Sequence, residues 1–181
     1  MGGRGVRRTQ SAGHLPCPAA GLRPGGAGRG QLLESCRCAA GRHLRLRPVR
    51  RAAAEESRLG RVVLLTSAWG VGARDLAAVA AASGGVQVLC KSLARELGSH
   101  GVTVNAIAHA FTDSDWLALD AHALDIGENV LRTAPQAYVP AAALGQPAQV
   151  AHSVLLLCHP VLGAATGQTL QCNGGYFRHR T

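Results

Sequence analysis

The feature that most constrains the fold is a strand, helix, strand succession between Arg61 and Ile107. It opens with the apolar run Val62-Val63-Leu64-Leu65, which is typical of a strand buried on both faces of a parallel sheet. Residues at helical spacing, apolar except for one serine, then recur up to Gly98, which predicts one long helix; they are Leu76, Val79, Ser83, Val86, Leu89, Cys90, Leu93 and Leu97. In a second strand, Val102, Val104 and Ile107 alternate with Thr103 and Ala106. The succession predicts a βαβ unit and therefore an α/β protein with a parallel sheet.

The remainder of the chain predicts one more helix and one more strand. The segment from His109 to Leu144 is poorly patterned and is interpreted as a loop with one or two short helices. Pro147 suits the first turn of a helix, whose apolar face consists of Val150, Val154, Leu155, Leu157 and Cys158. The run from Gln168 to Cys172 then predicts a third strand, closed by Asn173-Gly174-Gly175.

Charge divides the chain near Gly60. The first 60 residues contain twelve arginines and three glutamates, whereas the other 121 residues carry seven basic and seven acidic side chains. The net charge of +9 therefore belongs to the N-terminal third. Residues 1–59 lack periodicity and are rich in glycine, so we predict a disordered basic arm followed by a folded domain over 60–181. The arm has no aromatic residue for base stacking, and nucleic-acid binding is not expected.

Cysteine usage and hydropathy indicate a reducing, non-membrane environment. Cys36 and Cys38 lie near His14 and His43, but no second pair has ligand spacing, so we predict no metal site. Unpaired thiols suit the cytoplasm. No stretch approaches the roughly 18–20 apolar residues that span a membrane, and no signal-peptide core is present. Eleven glycines in the first 60 residues argue against a helical presequence.

Four strings occur in order on these elements. They are Arg61-Val-Val-Leu-Leu-Thr-Ser67, Cys90-Lys-Ser-Leu-Ala-Arg-Glu-Leu97, Val102-Thr-Val-Asn-Ala-Ile-Ala108, and Thr166-Gly-Gln168 with Asn173-Gly-Gly175. In this order they resemble the C-terminal half of the short-chain dehydrogenase/reductase family, over about 120 residues. The resemblance implies part of a Rossmann-like, doubly wound parallel sheet. It also implies NAD or NADP as cofactor and hydride transfer to or from a carbonyl.

The same resemblance assigns three catalytic positions. The hydroxyl that polarises the carbonyl falls on Ser67 or on Thr66, although a serine here also suits a simple strand-end cap. The family's tyrosine, which passes the proton, falls on Val79. Its lysine, which lowers the tyrosine pKa and holds the ribose, falls on Ser83. Tyr138 is the nearest tyrosine in sequence and lies outside this helix.

The loop after the second strand is where the family contacts the nicotinamide. His109 and Ala110 replace its usual proline and glycine, Phe111 follows, and Ser114 keeps a hydroxyl at the carboxamide-binding position. By resemblance these four residues form the predicted cofactor-binding set. Two roles of His109 are considered. It is either a substitute acid or base, or a loop histidine that is merely solvated, and the second role is the more common one.

Three hypotheses for function follow. In the first, the chain is a catalytically impaired family member, because Val79 and Ser83 replace the tyrosine and lysine. The family's glycine-rich turn is also missing, since Gly25, Gly26, Gly28 and Gly30 follow no strand. A truncated or frame-disrupted gene product would explain this absence. In the second, it is a non-catalytic assembly subunit that pairs through the helix at 76–98. In the third, it is a lyase similar to halohydrin dehalogenases, which Thr66-Ser67-Ala68 and Gly174-Gly-Tyr-Phe177 resemble.

Overall fold

The computed structural model describes residues 60–72, 77–115, 117 and 127–176. Its main elements in chain order are β1 (Arg61–Ser67), α1 (Ala77–Leu97), β2 (Thr103–His109), α2 (Glu128–Tyr138), α3 (Pro147–Cys158) and β3 (Thr169–Cys172). Short 3-10 turns occupy Ala68–Val71, Gly98–His100 and Pro160–Leu162. The predicted βαβ unit, the later helix and the third strand are confirmed. The predicted disordered arm over 1–59 lies outside the described residues.

The three strands form a parallel sheet in the order β1-β2-β3. Arg61 lies opposite Thr103 at one end of the β1–β2 pair, and Ser67 lies opposite His109 at the other. The shorter β3 pairs with the second half of β2, so that His109 also lies opposite Cys172. All three strands therefore finish at the same edge, which we call the carboxyl edge.

One face of the sheet packs against α1. Leu64 of β1 and Val104 of β2 belong to a core cluster with Cys90 and Leu93 of α1. The alternation predicted for the second strand implied one covered face, but every residue of β2 from Thr103 to Ala108 is buried. The central strand of this sheet is covered on both faces because α3 contacts β1 and β2 as well.

Helix α1 has one buried face, as its apolar spacing predicts. Ser83, Val86, Cys90, Leu93 and Leu97 are buried, while Val79 and Leu89 are partly buried and Leu76 lies outside the described residues. With the following turn, Ala77–His100 is long and apolar enough by composition to cross a membrane. One third of this apolar window is buried. By length and composition the helix therefore departs from the expectation that no stretch approaches a membrane span.

Cys90 lies at the centre of this packing. It is fully buried, and its thiol donates to the backbone carbonyl of Val104 at 3.4 Å. Burial raises the pKa of the Cys90 thiol to about 11. Because thiolate is the reactive form, we expect Cys90 to resist alkylation at pH 8 until the chain unfolds. Exposed Cys158 is the internal control, and equal labelling of both under native conditions in peptide mass spectrometry would contradict this.

The segment between β2 and β3 contains the short helix that the sequence predicted. Arg132 of α2 contacts Glu128 one turn earlier and Asp113 in the loop after β2, at 2.7 and 2.5 Å. The Arg132 side chain lowers the pKa of Asp113, mainly through its hydrogen bond. Pro147 begins α3, where Gln146 and Gln149 form a capping box. These contacts fix the loop that follows the carboxyl edge.

Candidate functional site at the carboxyl edge

The last residues of the three strands form a row across the carboxyl edge. The register places Ser67 beside His109, and His109 beside Cys172. Residues paired in a parallel register project to the same face of the sheet, so a hydroxyl, an imidazole and a thiol lie in sequence along this edge. The open α/β sheet positions ligands at this same edge in many proteins.

Ser67, the predicted catalytic hydroxyl, caps the turn that follows β1. Its Oγ accepts a hydrogen bond from the Trp69 backbone N–H at 3.2 Å. Its backbone carbonyl accepts from Gln87 Nε2 at 3.4 Å, which ties the strand end to α1. The hydroxyl is only partly buried, and its own proton remains to be donated. This geometry suits the capping role and leaves room for a second role as a donor.

Thr66, the other candidate hydroxyl, points elsewhere. It is buried, and its Oγ1 donates to the backbone carbonyl of Ser83 at 3.0 Å. This bond crosses from β1 to α1 beneath the edge. Thr66 therefore holds the helix in position, and Ser67 is the hydroxyl that lies at the edge itself.

The two positions assigned to the family's tyrosine and lysine lie on the first half of α1. Val79 is partly buried, and Ser83 is 8% exposed. Neither side chain can pass a proton at neutral pH or place a positive charge beside one. By the resemblance, a buried serine lies where the family's lysine would hold the nicotinamide ribose. The described residues at these two positions do not fit the family's cofactor chemistry.

The turn after Ser67 packs directly onto α1 at this point. A Cβ added to Gly70 would lie 2.9 Å from the Gly84 backbone nitrogen and 3.0 Å from the Ser83 carbonyl carbon. A Cβ on Gly84 would in turn lie 3.0 Å from the Gly70 carbonyl oxygen. The backbones meet here because both residues lack side chains. Main-chain atoms of Gly70 and Gly84 consequently fill the space next to Ser83.

The predicted cofactor-binding residues lie on the loop after β2. His109 Nδ1 and Thr112 Oγ1 are 3.3 Å apart, and Ala110 is buried. Phe111 has φ of 46°, an uncommon backbone conformation for a residue with a side chain. Ser114 is partly buried, and its carbonyl accepts from the Leu117 N–H at 2.9 Å. The structure pairs His109 with Ser67 and places the other three residues on the loop that follows, without showing what they bind.

An aromatic cluster, which the sequence analysis missed, also lies beyond the strand ends. The rings of Trp69, Phe111 and Tyr176 contact one another edge to face, with centroids 5.2 to 5.4 Å apart. Each ring follows a different strand within four residues of its end. This recurrence of aromatic residues after strands was the signal that could have revealed the cluster. The rings give the carboxyl edge an apolar surface.

Charged and metal-binding groups are sparse in the described ranges. Among these residues, no three of the histidine, cysteine, aspartate and glutamate side chains gather as a metal site would require. The earlier zinc alternative on Cys36, Cys38, His14 and His43 lies outside the described residues. The described strand ends carry the Ser67 hydroxyl, the His109 imidazole and the Cys172 thiol, with the three aromatic rings just beyond them.

Comparisons with known proteins agree with this architecture. Residues 39–177 match the family model described as enoyl-(acyl carrier protein) reductase. The chain belongs to the short-chain dehydrogenase/reductase family, an oxidoreductase family with a Rossmann-type fold.

Individual relatives make the match more specific. The chain is 40% identical over 123 residues to the 3-oxoacyl-[acyl-carrier-protein] reductase FabG of Vibrio cholerae, covering 67% of this chain and 48% of the relative. It is 38% identical over 121 residues to FabG of Staphylococcus aureus, covering 66% and 46%. The chain thus spans about half the length of the curated relatives it matches.

Solved structures give the same result. An actinorhodin polyketide ketoreductase with NADPH superposes with a TM-score of 0.73 at 26% identity, covering 82% of this chain and 60% of the other. A protein titled "Dehalogenation enzyme" superposes with a TM-score of 0.77 at 24% identity, covering 90% and 66%. The latter likeness shows the fold alone and does not favour the dehalogenase hypothesis.

Proposed function

We propose that this protein is a short-chain dehydrogenase/reductase-like pseudoenzyme, in which the family's NAD(P)-dependent carbonyl and alcohol oxidoreduction is impaired. The observation that carries the proposal is the pair Val79 and Ser83 at the positions of the tyrosine and lysine. General acid catalysis alone contributes about 10²–10⁴-fold in rate. A valine at the proton donor's position removes this contribution.

The surroundings of Ser83 support the same proposal. The Thr66 hydroxyl donates a hydrogen bond to the Ser83 backbone carbonyl. The Gly70 backbone packs against the same turn of α1. No nearby group of the described chain takes the place of the ammonium, since Lys91 lies two turns further along the helix and is exposed. We infer that NAD or NADP binds weakly or not at all, and that the protein works in the cytoplasm, where its thiols stay free.

Calorimetry tests the cofactor part of this proposal. NADPH and NADH are titrated separately into the full chain, with the actinorhodin polyketide ketoreductase as the positive control for NADPH. We expect no saturable heat for this chain under conditions in which the ketoreductase is titrated. Saturable binding at a similar concentration would contradict the inference, because it would mean that other residues replace the lysine.

A second candidate function, assembly, is favoured by the exposed face of α1. Val88 in the middle of this helix is 62% exposed, and nothing lies within 4 Å of a Cβ added to Gly85 one turn away. An apolar side chain beside an open backbone suits helix pairing between two copies related by a twofold axis. We therefore propose a homo-oligomer formed through α1 (Ala77–Leu97), the helix that the sequence predicted at 76–98.

The oligomer is tested by size-exclusion chromatography with light scattering. We expect a dimer or tetramer for the unmodified chain and a shift toward monomer for Val88→Lys, because the ammonium would be desolvated in the interface. Val161→Lys is the comparison, because Val161 is 75% exposed and lies outside α1. A monomeric unmodified chain would rule out this candidate and leave the pseudoenzyme proposal untouched.

A further inference from the structure

A cavity lies on the α3 side of the loop after β2. Its volume is about 290 Å³, and Phe111, Thr112, Gly145, Ser153, Cys172 and Asn173 are among the residues that line it. Thr112 and Gly145 form an isolated parallel bridge across one wall. The Ala141 N–H donates to the Gly174 carbonyl at 3.0 Å across another. Backbone hydrogen bonds thus hold the walls in place without a ligand.

The described residues that line the cavity carry no charged side chain. Phe111, Val139, Leu144 and Val150 supply apolar surface, and the polar side chains are hydroxyl, thiol and amide groups. A charged ligand would meet no opposite charge among these residues, so their chemistry favours a neutral molecule.

Two polar groups of α3 face this space with defined hydrogen-bonding capacity. Gln149 Oε1 accepts the Gln146 N–H at 2.8 Å, so the amide nitrogen of Gln149 remains the group that can donate to a ligand. Ser153 Oγ donates to the Gln149 carbonyl at 3.0 Å and thereby uses its only proton. Its contact with Cys172 Sγ at 3.4 Å must then have the thiol as donor.

We propose that this cavity is a binding site for a small neutral molecule with one ring and one oxygen acceptor, with Cys172 among the residues that contact it. The volume is near the lower limit of about 300–1,000 Å³ for small-molecule pockets, which fits a single ring. The Gln149 amide would donate to the oxygen, while Phe111 and Val150 would contact the ring. The inference does not depend on the proposed loss of hydride transfer.

Thiol labelling of the full chain tests the site. N-ethylmaleimide is added at pH 8, and labelling of Cys172 is followed by peptide mass spectrometry with and without benzyl alcohol. An eight-atom ligand is expected to bind with a dissociation constant of about 1 mM. At roughly 10 mM benzyl alcohol we expect Cys172 labelling to slow about fivefold or more, with Cys158 labelling unchanged.

Two alanine-to-phenylalanine variants provide the matched control. Ala143 lines the cavity, whereas Ala148 is exposed at the start of α3 outside its lining. Ala143→Phe should slow Cys172 labelling and remove the effect of benzyl alcohol, and Ala148→Phe should preserve both. Labelling of Cys172 that benzyl alcohol leaves unchanged would overturn the proposal. Protection of Cys172 by NADPH and not by benzyl alcohol would also overturn it, because the cavity would then belong to the family's cofactor.

Discussion

Replacing Gly70 by alanine is expected to lower the free energy of unfolding by about 3 kcal/mol, the upper part of the usual range for overpacking. The new Cβ would lie 2.4 Å from Gln87 Nε2, 2.9 Å from the Gly84 nitrogen and 3.0 Å from the Ser83 carbonyl carbon. The glutamine can rotate away, but the two backbone atoms belong to α1 and cannot. The φ of Gly70 is outside the left-handed region, so the cost is steric.

The matched control is Gly85→Ala on α1, the helix that Gly70 packs against. Nothing lies within 4 Å of its added Cβ, so this variant should be more stable by about 0.5–1 kcal/mol, the helix preference of alanine over glycine. Urea unfolding followed by circular dichroism measures both changes as shifts in midpoint at constant slope. Equal stability of the two variants would show that the turn after β1 does not pack on α1 as described.

Introducing the family's lysine as Ser83→Lys is expected to destabilise the protein by roughly 2–4 kcal/mol, because burial disfavours the charged ammonium. Ser83 is 8% exposed and lies beneath the contact between the Gly70 turn and α1. The long side chain can recover part of this energy by extending its ammonium toward water. The double variant with Val79→Tyr should inherit the same loss and gain no reductase activity.

Ser92→Lys is the control for this change. Ser92 is exposed on the same helix and makes only a local bond to the Val88 carbonyl at 3.3 Å. Lysine there should alter stability by less than about 0.5 kcal/mol, as exposed substitutions usually do. If Ser83→Lys proved as harmless as Ser92→Lys, the site would still accommodate the lysine, and the proposed closure around Ser83 would be wrong.

Most of the described fold could be predicted from the sequence because its elements are strongly periodic. The Val62 to Leu65 run, the apolar face of α1 and the proline at the start of α3 each determine an element locally. The burial of Thr103 inside β2 could not be predicted, since it depends on α3 returning to cover the second face. Likewise, Ala94 packs in the core although its small side chain carries little signal.

The candidate site was less predictable because it depends on residues far apart in the chain. The positions of Ser67, His109, Ala110, Phe111 and Ser114 follow from the family motifs. The structure pairs Ser67 with His109 at the strand ends, and the assignment of the five residues to a site stays a prediction. The Trp69, Phe111 and Tyr176 cluster required knowledge of where three strands end. The cavity next to Cys172 depends on the Thr112–Gly145 bridge and on hydrogen bonds of α3, none of which has a local pattern.

The central claim is that Val79 and Ser83 leave this protein without hydride transfer. The most direct measurement incubates the full chain with NADPH deuterated at the transferable position and a 3-oxoacyl thioester, chosen from the activity named for the FabG relatives. Product deuterium is then measured by mass spectrometry. We predict no label above that in the sample without protein, and the same result for Ser67→Ala. Time-dependent deuterium in the product that Ser67→Ala abolishes would contradict the account, because it would show a working active site at this carboxyl edge.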